Sequence, residues 1–76
     1  MKTEVLEHFE DEMEDVCEYL DLAERAEETA PTLAAGMRAM AHDEYTHAEF
    51  LHDYLESVGV HEYADKWHRV KERMRK

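Results

Sequence analysis

One cysteine (Cys17), one proline (Pro31) and two glycines (Gly36 and Gly59) are all that 76 residues hold of the residue types that staple or break a chain. A single thiol excludes an internal disulfide framework and suits a reducing compartment. So few breakers, beside abundant Ala, Glu, Leu and Met, predict an all-α chain. No uninterrupted apolar run approaches the roughly 18 residues of a membrane span, and no charged-then-apolar leader opens the sequence. The expectation is a cytoplasmic protein without a membrane partner. Nucleophile triads, phosphate-binding glycine loops and thiolate zinc patterns are also missing. Basic residues are scarce outside the C-terminal segment: Met1–Gly59 carries seventeen acids against three bases, Val60–Lys76 three acids against six bases, and the net charge is −11. An acidic body argues against nucleic acid as the main partner, because phosphate affinity rests on cationic contacts. It attracts cations, and it also keeps a small helical protein in solution.

What is present is helical periodicity. The first helix is expected over 3–28, with Thr3 as N-cap and Glu4 and Glu7 near the positive end of the dipole. Its apolar stripe is Leu6, Phe9, Met13, Val16, Leu20 and Ala23, widened by Val5 and Cys17. Thr29-Ala30-Pro31 breaks it, because proline fits a first helical turn and disfavours helix in the residue before it. The second helix is expected over 31–58, closed by Gly59 in the position glycine favours after a helix. Gly36 inside it costs roughly 1 kcal/mol against alanine, unless it lets a neighbouring helix come close. A shorter helix, 61–74, follows from Tyr63, Trp67, Val70 and Met74, with Trp67 as its anchor and its basic face set against the acidic hairpin. The short connection at Ala30 makes the first two helices antiparallel neighbours. One domain, 1–76, results. It is too small for a generous core, and two helices cannot bury both stripes without a further layer. A homodimer whose two hairpins form a four-helix bundle, or a larger ring-like homo-oligomer, supplies that layer.

The second helix carries the chemical clue. Its heptad-spaced stripe reads Leu33, Met37, Met40, Glu44, His47, Leu51, Tyr54, Val58, so a carboxylate and an imidazole interrupt a hydrophobic seam. At i and i+3 they are neighbours on one face. Buried without partners they cost several kcal/mol, which neutralisation, pairing or a metal relieves. A glutamate from the first helix completes a metal site, and Glu10, Glu14 and Glu18 are the candidates at the right height. Glu44 lies fourteen residues after Ala30, Glu14 sixteen before it and Glu18 twelve before it, so spacing leaves Glu14 and Glu18 open. One Glu from each outer helix and one Glu-x-x-His from each inner helix is the ligand set of ferritin-like di-iron and di-manganese bundles. Oxygen and imidazole donors suit iron or manganese, with zinc as a redox-inert substitute.

The run from Met13-Glu14 through Ala30-Pro31 to Glu44-Tyr45-Thr46-His47-Ala48 resembles the encapsulated ferritins, the half-size ferritin-like family, over about the first 58 residues. The separation of thirty between Glu14 and Glu44 looks like that family's spacing and favours Glu14 over Glu18. The resemblance implies a two-helix subunit and a di-iron ferroxidase centre at a subunit interface. Its ligands would be Glu14, Glu44 and His47 from each of two subunits, its oxidant dioxygen or peroxide, and its role iron storage or detoxification with an encapsulin shell as partner. Two departures stand out. The inward neighbours of Glu14 are Met13 and Val16 where the family has further acids, and no Gly- and Leu-containing tail follows Met74 to direct the chain into a shell. Two other readings compete: a non-storing di-metal protein that scavenges peroxide or binds Zn or Mn, and a structural acidic hairpin that only dimerises.

The remaining side chains read more plainly. Tyr54 is core with a wet hydroxyl, Tyr45 is surface, Cys17 is a small buried hydrophobe, and Met13, Met37 and Met40 fill core. His8, His42, His52, His61 and His68 have no i, i+4 histidine partner and read as surface or interface.

Overall fold

The computed structural model describes residues 1–76 as three helices and no strand: α1 Lys2–Ala26, α2 Pro31–Ser57 and α3 Ala64–Arg75. The all-α hairpin with a short C-terminal helix is therefore the fold. No helix is long and apolar enough to cross a membrane.

Local chemistry sets the ends. α1 begins one residue ahead of Thr3, so Thr3 does not cap it. Met1 takes the cap position without a side-chain hydrogen bond, and its ammonium pairs with Glu4 at 2.7 Å. α1 ends two residues earlier than its periodicity suggests, and Pro31 opens α2 in the first turn, where a missing N–H costs nothing. At the far end Gly59 adopts φ 77°. The Gly59 amide donates to Glu56 O at 3.1 Å and the Val60 amide to Leu55 O at 3.0 Å, the paired bonds of a Schellman motif. Leu55 and Val60 both join the core there, as that motif favours. His61–Tyr63 forms a turn rather than the first turn of α3, which starts at Ala64.

α1 and α2 pack antiparallel along a seam that differs from the expected one. α1 contributes Phe9, Met13, Val16 and Ala23, and α2 contributes Ala34, Ala41, Ala48 and Leu55. Every residue of the expected α2 stripe lies just before or three after a member of this Ala-rich heptad. At 100° per residue the expected stripe is thus rotated by roughly 80° from the true one. Alanines let α1 come close, while the bulkier residues fall on a flank. Leu33, Met40 and Phe50 are consequently exposed, Phe50 at 75 %. Gly36 serves no close approach within the chain, because a Cβ there meets nothing within 4 Å.

α3 covers the opposite flank. Tyr63, Trp67 and Val70 are buried against α1 and α2. Phe9 meets Tyr63 edge-on at 4.5 Å, and Tyr45 stacks on Trp67 at 5.3 Å, so Tyr45 is half-buried rather than surface. Arg73 reaches back to Asp21 at 2.9 Å and Glu24 at 3.2 Å, joining the basic helix to the acidic hairpin as the charge pattern suggests. The body measures 44 × 19 × 14 Å. A helix with side chains is about 10–12 Å across, so one flank of the hairpin has its third layer and the other does not.

Candidate metal centre

The open flank carries the chemistry. Glu44 and His47 lie one turn apart on α2, and Glu12 of α1 faces them across the seam. Each offers a donor atom, and the three donors lie within 4.8 Å of one another. His47 Nδ1 is 3.6 Å from Glu12 Oε2 and 3.7 Å from Glu44 Oε1. The two carboxylates are largely covered, while the imidazole is mostly exposed at 61 %. Beside them a cavity of about 400 Å³ is lined by Val5, His8, Glu12, Thr46, His47, Phe50 and Leu51, giving a small molecule a largely apolar approach to the carboxylates.

Electrostatics mark the same place. Burial, then the adjoining Glu44 carboxylate, push the Glu12 carboxyl up to about 7, against a smaller opposing pull from His47. Burial, followed by the Glu44, Asp11 and Glu14 charges, also raises Asp15. Glu12 Oε2 is buried with no hydrogen-bond partner, which is costly for a carboxylate oxygen. An orphaned oxygen, a second carboxylate and an imidazole at this spacing form the donor set of a hard or borderline divalent cation. The residues present therefore fit iron.

Of the residues proposed from sequence, Glu44 and His47 are brought together. Glu10, Glu14 and Glu18 are exposed and outside the group. Helical geometry gives the reason. At 100° per residue Glu10 and Glu14 each point about 160° away from Glu12, and Glu18 about 120° away. The signal for Glu12 was available: Val5, Phe9, Glu12, Val16, Tyr19 and Ala23 alternate by four and three. Glu12 interrupts that repeat as Glu44 and His47 interrupt theirs.

A helical hairpin with a carboxylate on one helix opposite a Glu-x-x-His on the next carries half of the ligand pattern of ferritin-like di-metal bundles. Residues 4–75 match the rubrerythrin family, and the chain belongs to it. The match establishes the ferritin-like superfamily expected from sequence and implies iron, through rubrerythrin rather than through the encapsulated half-ferritins specifically. Neither a curated protein nor a solved structure matches the chain significantly.

Proposed function

We propose that two copies of this chain associate through the open flank and that the assembly oxidises Fe(II) to Fe(III) as a ferroxidase. The observation that carries the reading is the convergence of the Glu12, Glu44 and His47 donors within 4.8 Å. One chain supplies three ligands. A two-fold pair supplies four carboxylates and two imidazoles, enough to neutralise and hold two divalent ions. Support for the pairing comes from the exposed Leu33, Met40 and Phe50, which share the flank of His47. Glu12 takes the role for which the family resemblance favours Glu14.

Fe(II) is the substrate, and its chemistry is the loss of one electron per ion to a dioxygen or peroxide oxidant. The protein's part is positional and protonic. Glu44 and His47, fixed one turn apart on a rigid helix, set the distance between an oxygen and a nitrogen donor. Burial and the Glu44 carboxylate hold the Glu12 carboxyl up to about 7, so a cation binding there displaces a proton and gives the buried Oε2 a partner. The apolar wall of Val5, Phe50 and Leu51 limits water at the carboxylates while leaving a way in for the oxidant.

The test adds Fe(II) anaerobically and then admits air. Glu12→Ala, Glu44→Ala and His47→Ala are each expected to lower the oxidation rate at least tenfold and to reduce the iron bound, while Glu14→Ala and Glu18→Ala match the parent. Parent-like oxidation and iron stoichiometry in Glu44→Ala and His47→Ala overturn the proposal.

A further inference from the structure

On the flank that α3 covers, a second cavity of about 260 Å³ is lined by His52, Glu56, His61, Trp67 and His68 among others. Three of the six histidines thus line one cavity, although none is an i, i+4 partner of another, and two of them, His52 and His61, flank Glu56. His61 Nδ1 is 2.9 Å from Glu56 Oε2, and His52 Nε2 is 4.0 Å from Glu56 Oε1, so the carboxylate stands between two imidazoles. His52 is oriented by its neighbours. Its ring stacks on Trp67 at 5.2 Å with an interplanar angle of 20°, and Asp53 Oδ1 lies 3.4 Å from Nδ1. A proton on Nδ1 donates to Asp53 and leaves the Nε2 lone pair facing Glu56. A carboxylate behind one nitrogen and a free lone pair on the other is how ligating histidines are held in metal sites.

We propose that His52, Glu56 and His61 form a second cation site, separate from the Glu12–Glu44–His47 group, for a divalent transition ion that prefers imidazole, zinc being the probe ion. Two imidazoles and one carboxylate are a three-ligand zinc set with a fourth position left for water or for His68. The Glu56 and His61 side chains are 49 % and 64 % exposed, so both are free to turn toward an ion held at His52 Nε2. The Ala-rich α1–α2 seam is untouched by that rotation. His52 and Glu56 sit on α2 and His61 in the turn that leads to α3, so an ion here ties that turn to the end of α2.

Trp67 is the sole tryptophan and touches His52, so it reports on the site. The experiment is equilibrium dialysis of the full chain against Zn(II), with Trp67 emission followed in the same titration. The parent is expected to hold one zinc equivalent per chain that His61→Ala and Glu56→Gln lack, and to show an emission change that both variants lose. Glu12→Gln is expected to keep the emission change. Asp53→Asn is expected to weaken the zinc-linked response by about tenfold. An unchanged zinc count and emission response in His61→Ala or in Glu56→Gln overturns the proposal and leaves the cluster as imidazole–carboxylate ion pairs.

Discussion

Glu12 concentrates the tension in the chain. It is a carboxyl whose Oε2 is buried without a partner, beside a second carboxylate and an imidazole. In the fold its pKa stands at about 7 against an ordinary 4.5. Between those values the unfolded chain has lost the proton and the folded chain keeps it. Glu12's contribution to stability is therefore greatest below pH 4.5 and is lost as pH rises through about 7. After chelator treatment, Glu12→Gln should flatten the part of the melting-temperature profile that falls over this window. A profile identical to the parent's contradicts the assignment. With iron present the sign reverses, because the cation competes with the proton and affinity rises as Glu12 ionises. Much of this site is legible in the letters. Glu44 and His47 stand out because polar residues interrupt an apolar stripe, and the same rule applied to α1 points to Glu12. Counting residues from the turn leaves Glu14 and Glu18 open and the family resemblance favours Glu14, but height along a helix carries no information about which way a side chain faces.

At the scale of elements, breakers and periodicity define three helices and one tight turn, while the choice of buried face on α2 was obscured. Alanine contributes little to a hydrophobic stripe, so Leu33, Met37, Met40 and Leu51 outweigh Ala34, Ala41 and Ala48. Yet small side chains are what allow α1 to approach. Tyr45 was missed for a related reason: its neighbour is Trp67 of α3, a contact no pattern within α2 encodes. Trp67 anchors α3 between Phe9, Tyr45 and His52. Trp67→Ala should cost about 3–5 kcal/mol, the usual penalty for emptying a buried aromatic site, read by urea denaturation. A loss below about 1 kcal/mol would mean that α3 is not docked. Gly59, at φ 77°, sits where L side chains are strained, so Gly59→Ala should lower stability by about 1 kcal/mol. Gly36→Ala should raise it by a similar amount, because helix propensity is gained and the added Cβ meets nothing within the chain. A fall for Gly36→Ala would place a neighbouring helix of a second copy against that residue.

The whole molecule is a hairpin with one flank finished and one open. α3 closes the first with its aromatic residues and with Arg73 on Asp21 and Glu24. The second presents Leu33, Met40 and Phe50 together with the Glu12, Glu44 and His47 donors. Bringing together two chains of net charge −11 is opposed by their repulsion, which cations bound between the proposed Glu12–Glu44 pairs would offset. Association and iron binding are therefore expected to be coupled. Met40→Glu and Phe50→Glu should weaken both together. The most direct measurement is native mass spectrometry of the chain with and without Fe(II), counting chains and iron in the same species. The expected species is a dimer holding two iron ions, both lost in Glu12→Ala. A monomer at every iron concentration, or a Glu12→Ala variant that binds as much iron as the parent, contradicts it.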